Sequence, residues 1–350
     1  MKKFIISAIF IVISYVGAVA QVNSAQFTFV SPEKPEEIFG NSWIINIHGE
    51  ITLGTTDRLE ALVREKRIPV RSLIMLDSPG GSVVEAIKLG KFFRKMEFMT
   101  YVGKQTDWDV KMEPRNCFSA CVLSHIGGKF RWVDDKSKVG VHQFSYSLKK
   151  FDSASNAQVL SDIIVHYIQS MGVSSELFSD MNKATSSDLF IVPKSRLIEL
   201  NVVNNGIGAV AWGVVSIESG MYFKGERDTV WGVQKISFLC GERQNIGVVA
   251  IFDDQGRAEE IKNMNAVTFD VGGELLRVTD GAAAPGKIVR DGTAMLIFSV
   301  PRAMINKIAS SNKLGVYLQY NFDAPVFLGI ARMEFASARS KFLGFVRSCR

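Results

Sequence analysis

The chain has 350 residues, with 41 Lys and Arg against 35 Asp and Glu, four Cys, 47% hydrophobic residues and 22% charged. A chain this long and this apolar buries ordinary cores unaided, which excludes wholesale disorder, collagen-like repeats and a small cystine knot. The net charge of +6 is modest and spread out, with no basic arm and no Lys/Arg stripe interleaved with aromatics, so no nucleic-acid partner is expected.

Residues 1–20 read as an export signal: Lys2 and Lys3, an apolar run from Phe4, and the small-residue pattern Ala18-Val19-Ala20 before Gln21. The run is slightly shorter than the roughly 20 residues that span a bilayer. No later stretch is long and apolar enough to cross one. The product is therefore expected to be periplasmic or secreted, with no stable membrane span after signal cleavage. Residues 21–42 read as a linker.

From Trp43 onward, short apolar runs alternate with amphipathic stretches, the signature of an α/β unit built on a mainly parallel sheet. This first domain is expected over 43–212. Trp43 to Gly49 predicts a strand, Thr55 to Glu65 a helix, and Ser72 to Leu76 a buried strand. Asp77-Ser-Pro-Gly-Gly81 then turns into a helix through Val84, Ile87 and Phe92, and Phe98 to Val102 predicts a third strand. Lys104 to Asn116 is polar and reads as an inserted loop. Cys117 to Ile126 predicts a helix, Lys129 to Val133 and Lys138 to His142 a hairpin or paired strands, and Ala154 to Met171 a helix. Glu176 to Lys183 and Lys194 to Leu200 predict shorter helices.

From about residue 213 to 350 the texture changes to strands separated by Gly-rich and Asp-rich turns, which predicts a mainly β, sandwich-like or barrel-like second domain. Its runs include Val248 to Phe252, Ala266 to Phe269, Met295 to Val300 and Val316 to Tyr320, interrupted by one helix near Arg302 to Ser310. The end, Phe342 to Cys349, reads as a last strand. Asp253-Asp254 and Asp280-Gly281 have turn contexts, where acidic side chains serve the backbone. No metal and no cofactor is called for.

An oxidising compartment favours disulfides over thiolate metal sites. Four cysteines permit three pairings. The natural one joins Cys240 to Cys349, both at the ends of apolar runs, and closing so long a loop stabilises by roughly 4–5 kcal/mol in the chain-entropy account. Cys117 and Cys121 on one helix would hold their Cβ atoms about 5–6 Å apart, beyond the 3.5–4.5 Å of a disulfide. They can pair only if Cys117 sits in the turn before the helix; two buried free thiols are the alternative.

Gly80-Gly81 lies where a buried strand turns into a helix, so its amides can lie bare at the carboxyl edge of the sheet, where open α/β folds bind ligands. On its own the pair is a tight turn needing positive φ. Ser119, in Asn116-Cys-Phe-Ser-Ala-Cys121, sits just inside a predicted helix beside free backbone donors. His142 ends the strand Val139-Gly-Val-His-Gln-Phe144, whereas His48, His125 and His166 have no such setting. Asp188 precedes a strand-like run ahead of Pro193. A serine nucleophile needs a neutral imidazole, a carboxylate to fix its tautomer, and N–H donors for the oxyanion; one candidate for each role is present.

Ser78-Pro-Gly-Gly81, the serine among small residues, Gly140-Val-His-Gln143 and Asp188-Leu-Phe190, in that order, resemble the proteolytic subunit of the Clp protease, within the crotonase-like superfamily, over about half the chain. The resemblance implies a spiral β-β-α core and a triad of Ser119 as nucleophile, His142 as base and then acid, and Asp188 as orienting carboxylate. It also implies an oxyanion hole from the N–H groups of Gly80 or Gly81 and Ala120, a peptide or unfolded protein substrate, and a homo-oligomer. The leader together with Cys-Phe-Ser-Ala-Cys is similar to periplasmic Clp-like proteins of Gram-negative bacteria. The polar stretch 104–116, the two cysteines flanking Ser119 and the export signal depart from the Clp subunit. Outside the cytoplasm there is no ATP, so cutting is expected to be ATP-independent and confined to short or unfolded segments. The alternatives are a non-catalytic envelope binding protein on the same scaffold and, with less support, acyl-thioester chemistry.

Overall fold

The computed structural model describes residues 24–31, 43–107, 111–144, 153–218, 220–241, 245–278, 285–324 and 327–349. The expected leader, 1–20, and the Asp280-Gly281 turn lie outside them. The expected linker, 21–42, holds a strand in its described part: β1 (Gln26–Val30) pairs antiparallel with β2 (Ile44–His48).

β2, β3 (Leu73–Asp77) and β4 (Met99–Val102) are parallel and joined by α1 (Thr55–Glu65) and α2 (Val83–Lys95). These strands are apolar nearly throughout because both faces are covered. Ile45, Ile47, Ile74 and Leu76 face the main core with α1 and α2, while Ile44, Leu73, Met75 and Met99 face a smaller cluster on the other side with Phe130. Helix α1 buries Thr55, Thr56, Leu59 and Val63, a stripe along one face. Helix α2 is capped by Ser82, whose hydroxyl accepts from the Glu85 N–H at 3.3 Å.

Two expectations change around residues 116–142. The predicted helix over Cys117 to Ile126 divides into β5 (Asn116–Phe118), a turn at Ser119, and α3 (Ala120–Ile126). The predicted hairpin does not form. β6 (Arg131–Val133) extends the first sheet beside β4, giving the order β1-β2-β3-β4-β6, whereas β7 (Lys138–Val141) joins a separate sheet between β5 and β8 (Phe190–Ile191). Non-local partners decide the matter: β4 takes the edge of β6, and β5 takes that of β7. α4 (Ser153–Ser170), α5 (Glu176–Met181) and α6 (Lys194–Glu199) complete this part of the chain. In the polar stretch, Lys104 and Glu113 form an antiparallel bridge.

The remainder is mainly β. One antiparallel sheet has the order β15-β16-β12-β11-β10-β9, built from β9 (Ala211–Ile217), β10 (Gly220–Thr229), β11 (Gly232–Cys240), β12 (Asn245–Asp253), β15 (Gly286–Arg290) and β16 (Thr293–Pro301). A second has the order β14-β13-β17-β18, built from β13 (Ala266–Val271), β14 (Glu274–Val278), β17 (Lys313–Gln319) and β18 (Leu328–Glu334), and α7 (Ala258–Asn263) and α8 (Ile305–Ser310) connect strands. The two sheets share one core, rich in phenylalanine, that includes Phe223, Phe238, Phe269, Phe298 and Phe335. The last segment is not a strand but a helix, α9 (Arg339–Ser348). Phe342, Phe345 and Val346 are buried together in this core, and spacings of three and four put them on one helical face, which an alternating strand could not do. Cys349, just past α9, is bonded to Cys240 at the end of β11, with Cα atoms 5.2 Å apart.

Candidate active site

Ser119 occupies the break between a strand and a helix. β5 runs parallel to β7 with Phe118 opposite Gly140, and the Ser119 N–H donates to the Gly140 carbonyl at 2.8 Å. The chain then reverses, with Ser119 at φ 52° and ψ −125°, and its own carbonyl accepts from the Val122 N–H at 3.0 Å as α3 begins. Positive φ costs a non-glycine residue about 1–3 kcal/mol and persists only where the surroundings over-determine it. One such constraint is covalent: Cys117 and Cys121 are bonded across the turn, their Cα atoms 5.3 Å apart. The pairing condition read from the sequence is met, because Cys117 lies in β5 ahead of the helix.

The Ser-Pro-Gly-Gly loop supplies the other side. Ser78 bridges Cys117 in parallel: its N–H donates to the Asn116 carbonyl at 2.9 Å and its carbonyl accepts from the Phe118 N–H at 3.0 Å. That anchoring brings Gly80, at φ 109°, under the turn. A Cβ there would lie 2.7 Å from Ser119 Cβ and 2.8 Å from the Phe118 carbonyl oxygen, so only glycine fits. The Gly80 N–H donates to Ser78 Oγ at 3.1 Å. Among the described residues the N–H groups of Gly81 and Ala120 have no acceptor. Ala120 directly follows Ser119, and Gly81 follows Gly80, which packs against Ser119 and whose own N–H is engaged.

His142 and Asp188 flank the paired part of β7 and β8. Ser119 follows Phe118, which pairs with Gly140, and His142 follows Val141, which pairs with Phe190. The paired register ends at Val141 and Phe190, and beyond it the Gln143 N–H donates to the Ala184 carbonyl at 3.0 Å. The side chains, however, are turned to near neighbours. His142 Nδ1 donates to the Gln143 carbonyl at 2.6 Å, and Asp188 Oδ2 accepts from Thr185 Oγ1 at 3.0 Å. No hydrogen bond joins Ser119 Oγ to His142, or His142 to Asp188. Because a carbonyl can only accept, Nδ1 carries a proton; in the neutral ring the lone pair is then on Nε2, the tautomer a general base needs. Ser119 and His142 are partly exposed and Asp188 is exposed.

Three contributors stood in the quoted motifs without an assigned role: Ser78, whose hydroxyl holds the Gly80 N–H; Gly140, whose carbonyl holds the Ser119 N–H; and the Gln143 carbonyl. Gly140 is required sterically as well: a Cβ there would come 2.9 Å from the Phe118 ring.

The remaining histidines fall outside this site. His125 is fully buried in α3 with neither ring nitrogen hydrogen-bonded. Burial, with the Arg131 charge as the lesser cause, pushes it down to about 3. His48 is exposed and pairs through Nδ1 with Asp77 at 2.9 Å, and Arg115 Nε lies 3.3 Å from the same carboxylate. His166 is exposed on α4. Among the described residues no group of three or more His, Cys, Asp or Glu could hold a metal ion.

No protein-family model matches the chain, and neither does any curated protein. Among solved structures it is similar to ClpP1 from Listeria monocytogenes, at 16% identity over 46% of this chain and 88% of that one, with a TM-score of 0.35. It is also similar to a mutant of the 1510-N membrane-bound stomatin-specific protease, at 14% identity over 45% of this chain and 75% of that one, with a TM-score of 0.32. The neighbours are proteases, and neither likeness assigns a role to any residue here. Among the described residues no helix is long and apolar enough to cross a membrane, and the two disulfides fit an oxidising compartment.

Proposed function

We propose that the chain is an exported, ATP-independent serine peptidase that cuts short or unfolded segments through an acyl-enzyme. Ser119 Oγ attacks the scissile carbonyl while His142 Nε2 takes its proton. The tetrahedral oxyanion is received by the N–H groups of Gly81 and Ala120. His142 then gives the proton to the leaving amine, and water repeats the sequence to release the acid. Asp188 acts as the orienting carboxylate once the imidazole turns from the Gln143 carbonyl toward it. Residues 43–212 are proposed as the catalytic domain and 213–350 as a binding or docking domain.

The observation that carries this reading is the Ser119 turn: a strained hydroxyl-bearing residue, held from three sides, followed by the unpaired Ala120 N–H. The test is cleavage of an unfolded polypeptide without ATP. Ser119→Ala should lower turnover by several orders of magnitude, toward the roughly 10⁶ seen when a serine nucleophile is removed. Equal turnover in the variant would remove Ser119 from the mechanism.

The unlinked His142 and Asp188 favour one other reading, a non-catalytic envelope binding protein on this scaffold. It predicts a folded protein with no turnover and a specific partner recovered through residues 213–350.

A further inference from the structure

We propose that the Cys117–Cys121 disulfide is a positioning device that fixes where α3 begins, and thereby keeps Ser119 out of the helix and the Ala120 N–H free. The inference deepens the peptidase reading and rests on it for its catalytic consequence. By its local sequence, the segment from Cys117 to Ile126 is a helix. Continued back to Cys117, that helix would place Ser119 in ordinary right-handed geometry and give the Ala120 N–H to the carbonyl of Asn116, four residues earlier. Both features of the site would be lost.

The disulfide forbids that continuation. Residues four apart on a helix hold their Cβ atoms about 5–6 Å apart, more than the bond tolerates. With the sulfurs joined, Cys117 must remain in β5, where the Asn116 carbonyl accepts instead from the Ser78 N–H at 2.9 Å. The chain then has to pass from strand to helix at Ser119, at φ 52°. The bond spans only four positions against 109 for Cys240–Cys349, so it removes little entropy from the unfolded chain and acts locally. Both cysteines are 0% exposed, and a thiolate must reach a sulfur to exchange with it. The bond is therefore a permanent part of the site rather than a redox switch.

The test compares Cys117→Ala/Cys121→Ala with Cys240→Ala/Cys349→Ala and the unaltered full chain. Amide hydrogen exchange across 116–122 and the rate of fluorophosphonate labelling are followed well below each melting temperature. In the first variant the Ala120 amide should become protected, as a helical amide, and labelling should slow by about 10- to 100-fold, the size of effect a misplacement of about 1 Å produces. Peptide KM should hold while kcat falls. The second variant should melt earlier yet keep the labelling rate and the exchange pattern. If the first variant folds too poorly, Cys117→Val/Cys121→Ala refills the buried volume and takes its place. Unchanged exchange at Ala120 overturns the inference. Changed exchange in a protein that never labels upholds the positioning role and refutes the nucleophile assignment instead.

Discussion

His142 and His125 are the same residue type under opposite constraints. His142 is partly exposed and its tautomer is set by a backbone carbonyl 2.6 Å away, whereas His125 is sealed in the core with two unpaired nitrogens. A buried unpaired imidazole must stay neutral, so its folded pKa of about 3 lies below its ordinary value of 6.5. Below pH 6.5 the unfolded chain takes a proton the folded chain refuses. The stability associated with His125 is thus fully present above pH 6.5 and is lost progressively as pH falls toward 3. His125→Leu should flatten this acid limb; parallel denaturation midpoints for both proteins from about pH 7 to 4 would contradict the assignment. For Asp188, turned toward Thr185, Asp188→Asn should lower kcat by roughly 10²–10⁴ while Ser119 still labels, since a triad aspartate contributes about 10⁴ elsewhere. An unchanged kcat would leave the orienting role to the Gln143 carbonyl.

The elements that matter most are the loop before α2 and the two ends of α3. At the far end of α3, Arg131 donates to the carbonyls of Gly128, Val202 and Asn201 at 2.9, 3.0 and 2.6 Å, and Arg94 donates to those of Gly127 and Gly128, both at 3.1 Å. Burial pulls the Arg131 guanidinium down to about 9, and the neighbouring Arg94 charge adds to this. Cations are favourable where a helix presents bare carbonyls, so the helix that starts just past Ser119 is anchored where it ends. At its start, Gly80→Ala would push a methyl group against Ser119 and strain a residue at φ 109°. We expect about 1–3 kcal/mol of lost stability and about 100-fold lower turnover. Wild-type turnover in a folded Gly80→Ala protein would show that the turn tolerates displacement. The buried strands β2, β3 and β4, helix α1 and the Gly80-Gly81 turn were legible in the sequence because each is set by local pattern. The start of α3 was not, because a bond between two side chains and a parallel partner in β7 override local propensity there. α9 was misread because Phe342, Leu343, Phe345 and Val346 form an apolar run that fits either period.

At the scale of the whole molecule, two large cores fall at different places along the sequence, one drawn from residues between Ala25 and Val203, the other from residues between Phe223 and Cys349. Val230, in the β10–β11 turn, packs against the smaller cluster under the parallel sheet, and Lys129 Nζ lies 2.8 Å from Asp228 Oδ2. The Cys240–Cys349 bond closes a loop of 109 positions and ties α9 to β11. Removing it with Cys240→Ala/Cys349→Ala should cost roughly 4–5 kcal/mol in denaturant unfolding, whereas Cys117→Ala/Cys121→Ala should cost about 2 kcal/mol, because its loop is so short. A larger loss from the short loop would reverse this ordering. Which strands share a sheet was the least legible feature of all, since β6 and β7 are separated by a short turn yet belong to different sheets. The pairing of β7 with both β5 and β8, which flanks Ser119 and His142, depends on that division.

The central claim is that Ser119 is a nucleophile activated by His142. The full-length protein would be treated with a fluorophosphonate and the adduct located by mass spectrometry of its fragments, in parallel with His142→Ala. The account predicts a single adduct on Ser119 in the native protein and labelling slowed by at least about 100-fold in the variant. An adduct on another residue, or labelling of Ser119 at the same rate without His142, would contradict it.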